Sequence, residues 1–234
     1  MEYICVDLET TGLPRYDLPA EHPDQPWIAS AAVIHCSADF DVIAEQYWLI
    51  KPDGWVLGEE AARVNGLTME LLHEKGKPIA EFLDTYEVHI REGRVLTAHN
   101  CRFEHKLIRG SLRRAGRDDL FELTKTVCTM ESAVGVCKLP KKSGGGYKNP
   151  KLLEAYEHFY KQPFRGQHDA LGDARACVAV ARFLKKIGCL KEPAIYRAKE
   201  GTAAGEALKA RGGTPEPRLD VDQGAPTPRG RAPF

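Results

Sequence analysis

No apolar run in this chain approaches the roughly 18 residues needed to span a membrane, so no membrane association is expected. The opening residues, Met1-Glu2-Tyr3-Ile4-Cys5-Val6-Asp7, lack the basic start and long apolar stretch of a secretory leader. Cys-x-x-Cys pairs are missing too, and the seven cysteines are an odd number, which argues against a disulfide framework or a zinc site. Cys5, Cys36, Cys128 and Cys177 sit in apolar segments and read as reduced core residues of a cytoplasmic protein. Net charge is absent, because 33 Lys and Arg balance 33 Asp and Glu. Binding to a polyanion would therefore depend on local basic patches. There is no internal repeat. What is present, 234 residues of which 43% are hydrophobic and 28% charged, suits one sizeable α/β domain with an extension.

Tyr3 to Leu8 is rich in strand-forming residues, and Thr11-Gly12-Leu13-Pro14 reads as the turn that ends the strand. Trp27 to Cys36 and Glu45 to Ile50 read as further strands. Glu59 to Val64 reads as a short helix stopped by Asn65-Gly66, and Thr68 suits the cap of another, ending at Lys75-Gly76. Between Pro78 and Glu92, residues Ile79, Phe82, Leu83, Tyr86 and Ile90 fall at helical spacing. Arg94 to Ala98 predicts a strand, Phe103 to Ala115 a helix, and Thr126 to Thr129 another strand. From Leu139 to Pro150, three lysines and three glycines predict a flexible basic loop. Two helices follow, about Pro150 to Tyr160 and His168 to Ile187, the second with a buried stripe through Leu171, Ala174, Cys177, Val178, Ala181 and Leu184. Strands first, then alternating helices and strands, predict a mixed sheet flanked by helices. Beyond about Arg197, Gly, Pro, Ala and Arg dominate, and a disordered tail is expected.

Residues two apart on a strand share a face, so Asp7 and Glu9 present paired carboxylates. Such a pair is either a cation site, completed by acids from elsewhere, or a solvated strand end. Two later segments offer those acids. Asn100 and Glu104 follow the strand ending at Ala98, although Asn100 also suits a helix cap and Glu104 a first-turn acid. Asp169, at a helix start, reads as an ordinary cap or first-turn acid. Asp173 lies among Ala170, Ala174 and Cys177 on a helix that should be largely buried, where a carboxylate needs a partner.

In order and spacing, Asp7-x-Glu9-Thr10-Thr11-Gly12, Ala98-His99-Asn100-x-x-Phe103-Glu104 and His168-x-Ala170-x-x-Asp173-Ala174 resemble the three motifs of the DEDD 3′-to-5′ exonucleases. The likeness is to the His-containing, DnaQ-like branch, which includes proofreading subunits, ribonuclease T and oligoribonuclease. Asn65-Gly66-Leu67-Thr68 also resembles the family's Gly-Ile-Thr segment. One departure stands out: Glu104 occupies a position where the family usually has Asp, and its extra methylene requires a different rotamer.

The resemblance implies a ribonuclease H-like domain over residues 1–192, with residues 197–234 as the tail. It also implies two-metal hydrolysis of a terminal phosphodiester with two Mg²⁺ or Mn²⁺. Asp7 would bridge both metals, Glu9 and Asp173 would bind the one holding the attacking water, and Glu104 would support the second. His168 would take the proton from that water. Thr10 would contact the terminal nucleotide through its backbone and Asn100 would help bind substrate. Leu13 is a candidate contact for the terminal base or an ordinary core residue. Lys148, in the basic loop, is a candidate phosphate contact or a solvated side chain. The implied substrates are single-stranded DNA or RNA 3′ ends, with DNA favoured, and the implied partner is a polymerase or other replication protein. The alternative is a nucleic-acid-binding module that keeps the fold with weakened catalysis.

Overall fold

Alternation along the first strand divides the molecule into two layers. A computed structural model describes residues 1–142, 144–164 and 169–195, so the expected tail and His168 lie outside the described residues. In β1 (Tyr3–Thr10), Ile4, Val6 and Leu8 point into the larger core, while Tyr3 and Cys5 point into a second one. β1 pairs antiparallel with β2 (Ile28–Cys36), which pairs antiparallel with β3 (Val42–Leu49).

Three helices follow, α1 (Glu59–Asn65), α2 (Met69–Lys75) and α3 (Ile79–Arg91). Thr68 caps α2 as expected, its hydroxyl accepting from the Leu71 amide at 3.2 Å. β4 (Val95–Ala98) then pairs parallel with β1, and α4 (Cys101–Arg114) leads to β5 (Lys125–Cys128), parallel to β4. The chain continues through α5 (Thr129–Cys137), α6 (Leu152–Tyr160) and α7 (Ala170–Lys186) to the two-residue edge strand β6 (Ala194–Ile195). The sheet order is β3-β2-β1-β4-β5-β6, a mixed sheet covered by helices, in accord with the sequence.

The larger core joins β1 to Phe82, Leu83 and Tyr86 of α3 and to Leu107, Ile108 and Leu112 of α4. On the opposite face α7 lays Ala170, Ala174, Val178 and Ala181 against Tyr3, Cys5, Ala32 and Ile34. Small residues on that stripe let the helix approach the sheet closely.

Two elements escaped the sequence. Thr129, expected to end a strand, instead begins α5, whose stretch Val134-Gly135-Val136 has poor intrinsic helix propensity. Packing overrides it: Ala133 and Cys137 bury against Ala155 and Phe159 of α6 and Val180 and Leu184 of α7. β6 is too short to leave a periodic signal. The expected basic loop carries backbone contacts among its described residues. A bridge joins Pro140 to Tyr147, the Lys148 amide donates to Leu139 O at 2.8 Å, and Gly144, Gly145 and Gly146 supply left-handed turns.

The long connection between β1 and β2, residues 11–27, is fastened along α4. Lys106 Nζ donates to Leu18 O at 2.7 Å, Arg113 Nη1 to Glu21 Oε2 at 2.9 Å and Arg114 Nη2 to Pro26 O at 3.2 Å. The Arg114 guanidinium also lies 4.1 Å from the centre of the Trp27 ring. Gly110 permits this contact, because a Cβ there would lie 2.2 Å from Ala20 O. Gly110→Ala should therefore destabilise the fold by about 2 kcal/mol or more despite better helix propensity. Gly135→Ala, on an open stretch of α5 where a Cβ meets nothing, should stabilise it by roughly 0.5–1 kcal/mol. Urea unfolding of the two variants tests the opposite signs.

Candidate active site

Where the α7-facing row of β1 runs out of apolar residues, acids begin. Asp7 and Glu9 continue the parity of Tyr3 and Cys5, and Asp173 in the first turn of α7 descends onto them. Each of the three offers a carboxylate oxygen within 4.8 Å of the other two. The pair expected from strand spacing and the acid expected from the buried helix thus meet. Asp169 is the α7 cap, its Oδ2 accepting from the Gly172 amide at 3.1 Å.

Glu104 approaches from α4. It is 5% exposed, and its Oε2 has no hydrogen-bond partner. It is not part of the close trio, yet its charge acts on Asp7 more strongly than that of Asp173 or Glu9. Burial first, then Glu104, Asp173 and Glu9, push Asp7 well above the usual carboxylate range. Glu9 is pushed up to about 7 by burial and by Asp173 and Asp169. Burial likewise raises Glu104. Four acids crowded at the edge of a core, one with an orphaned oxygen, form a donor set suited to hard divalent cations.

The neighbouring residues fall into place unevenly. Thr10 Oγ1 donates to Gly12 O at 2.7 Å, closing the turn after β1. Asn65 of the Asn-Gly-Leu-Thr segment directs Nδ2 toward Thr10 O at 3.5 Å and accepts from the Leu67 amide at 3.0 Å. Leu13 is 84% exposed, which removes the core reading and leaves an apolar side chain in solvent. Asn100 stands at the α4 cap position without a side-chain capping bond. Lys148 is paired with Glu154 of α6, so its charge is engaged locally. His168 lies outside the described residues.

One supporting residue went unassigned in the sequence. His99 Nε2 donates to Pro150 O at 3.0 Å, so its Nδ1 accepts from Thr129 Oγ1 at 2.9 Å. Burial holds the imidazole neutral, with its pKa down to about 4. It ties the end of β4 to the start of α5 and the approach to α6, and so fixes the backbone that presents Asn100. Its only sequence signal was its place inside the second motif.

The family model described as Exonuclease matches residues 4–181, and the chain belongs to this family of DEDD-type 3′-to-5′ exonucleases. No curated protein matches it significantly. Among solved structures, E. coli exonuclease I in complex with a dA16 oligonucleotide is 21% identical, with a TM-score of 0.62 over 79% of this chain and 41% of that one. A product-bound form of exonuclease I is also 21% identical, with a TM-score of 0.60 over 79% and 43%. The zinc-bound complex of E. coli exonuclease I with single-stranded DNA is 19% identical, with a TM-score of 0.60 over 89% and 43%. The chain thus spans about two fifths of exonuclease I, and at this identity the likeness is one of fold.

The raised carboxylates have a consequence for the metal-free protein. A group whose folded pKa exceeds its unfolded value stabilises below the unfolded pKa and loses that contribution as pH rises through the folded one. For Glu9 the window runs from 4.5 to about 7. In EDTA, Glu9→Gln should match the wild type near pH 4 and exceed its stability above pH 7 by on the order of 2–3 kcal/mol. Chemical denaturation across that pH range measures the difference.

Proposed function

We propose that the chain is a metal-dependent exonuclease that removes nucleoside monophosphates from the 3′ ends of single-stranded nucleic acid. The observation that carries this reading is the meeting of Asp7, Glu9 and Asp173, with oxygens within 4.8 Å of one another, beside the orphaned Oε2 of Glu104. Asp7, Glu9 and Asp173 would hold the cations, with Glu104 supporting them from α4. Two divalent cations, Mg²⁺ or Mn²⁺, supply activation of the attacking water and charge stabilisation of the leaving 3′ oxygen when bound there.

The remaining work belongs to side chains and backbone. His168, one residue before the α7 cap Asp169, takes the proton of the attacking water, a role suited to a side chain that titrates near neutrality. The Thr10 backbone, held by the Thr10–Gly12 turn and by Asn65, positions the terminal nucleotide. Exposed Leu13 packs against its base, and the uncapped amide of Asn100 hydrogen-bonds it. DNA is favoured over RNA on the strength of the fold shared with exonuclease I, whose structures include complexes with DNA oligonucleotides.

Incubation with 3′- or 5′-labelled single- and double-stranded DNA and RNA, with Mg²⁺, Mn²⁺ or EDTA, tests activity, polarity and sugar preference together. The expected result is release of mononucleotides from the 3′ end of single strands with either metal and none in EDTA. No release in any lane would favour the binding-module alternative. Asp7→Ala and Asp173→Ala should each lower the rate by at least about a thousandfold while the protein stays folded. His168→Ala should slow single turnover by about 10²–10⁴-fold with little change in metal or nucleic-acid binding. Full activity in either Asp variant would overturn the cation assignment.

A further inference from the structure

The acidic nest repels the very polymer it is proposed to cut, so a phosphodiester strand needs cationic contacts close by. Most arginines of α4 are already engaged. Arg109 and Arg113 both grip Asp119, and Arg114 lies on Trp27. Arg102 differs. No carboxylate among the described residues pairs with it, and its guanidinium carbon lies 3.7 Å from the centre of the Tyr16 ring.

Both partners flank the site. Arg102 stands between Asn100 and Glu104 in the first turn of α4, and the helical turn of about 200° over two residues directs it away from the Glu104 carboxylate. Tyr16 follows Leu13 in the 11–27 connection, which the contacts of Lys106, Arg113 and Arg114 fasten to the same helix. Lys106 Nζ, 5.5 Å from the Tyr16 ring centre, adds a second positive charge. A guanidinium held against an aromatic ring loses little further freedom when it binds a phosphate.

We propose that Arg102, held against Tyr16, is a phosphate clamp for single-stranded nucleic acid, engaging the backbone 5′ of the terminal nucleotide. This rests on the exonuclease reading, and it names where the strand lies once its end is in the carboxylate nest. Phosphate contact without base contact makes the clamp indifferent to sequence.

Fluorescence anisotropy with the full chain, 5′-labelled DNA trimers and dodecamers, and Ca²⁺ in place of Mg²⁺ reads the clamp. The wild type should bind the dodecamer more tightly than the trimer. Arg102→Ala should weaken dodecamer binding about tenfold, as loss of a charged hydrogen bond predicts, and flatten the salt dependence by about 0.7 in log–log slope. Tyr16→Leu should act in the same direction, and Arg102→Lys should restore the slope with only part of the affinity. An unchanged dodecamer affinity and slope in Arg102→Ala would overturn the clamp, as would wild-type binding that does not grow with length. Hydrolysis of the p-nitrophenyl ester of thymidine 5′-monophosphate, too small to reach Arg102, judges the exonuclease reading separately. Its failure in the wild type counts against the function, whereas the length-dependent binding stands or falls on Arg102.

Discussion

Repulsion among carboxylates drawn toward one point is the constraint to which much of this molecule answers. Asp7 and Glu9 share a face because strand geometry leaves no alternative, and Asp173 and Glu104 come from helices on opposite sides of the sheet. Left alone, four acids at the rim of a core would drive the elements apart. The architecture opposes that with apolar packing on both faces of β1, directly next to the acids. Small residues on α7 seat that helix against Tyr3 and Cys5, and Leu107, Ile108 and Leu112 anchor α4 against Ile4, Val6 and Leu8. The crowding is costly to the metal-free protein, and under the proposed reading a divalent cation would convert it into affinity.

Much of this was legible in the sequence, for identifiable reasons. Strand alternation and helical periodicity are strong signals where the segments are long, and β1, α3, α4 and α7 were all visible within a few residues. The convergence of Asp7, Glu9 and Asp173 followed from three motifs in family order, since no local pattern links residues more than 160 positions apart. What stayed hidden was decided by tertiary contact. Val134-Gly135-Val136 became helical because α6 and α7 cover it, and His99 became a brace because Pro150 and Thr129 meet it from different segments. Lys148 found Glu154, which no composition argument would single out over free lysine in a basic loop.

The connection after β1 shows how a turn next to a site is kept rigid. Thr10 closes onto Gly12, Thr11 Oγ1 accepts from the Trp27 amide at 2.9 Å, and Gln25 Nε2 donates to Arg15 O at 2.7 Å and to Pro19 O at 2.9 Å. With these bonds inside the segment and α4 behind it, Leu13 can stand in solvent without the backbone beneath it being loose. An exposed apolar side chain on a braced turn loses little conformational freedom when a base packs against it.

Helix α4 then resolves the contradiction between an acidic site and a polyanionic substrate by dividing its charges around its circumference. Glu104 faces inward, where its lone oxygen adds to the nest. Arg109 and Arg113 are paired with Asp119, and Arg114 lies against Trp27 and donates to Pro26 O, so these three side chains are committed within the fold. Arg102 alone of α4's arginines has neither an ion pair nor a hydrogen bond among the described residues, and it stands in the first turn, two residues before Glu104. A helix carrying five basic residues thus offers a strand one well-placed guanidinium rather than a diffuse basic face.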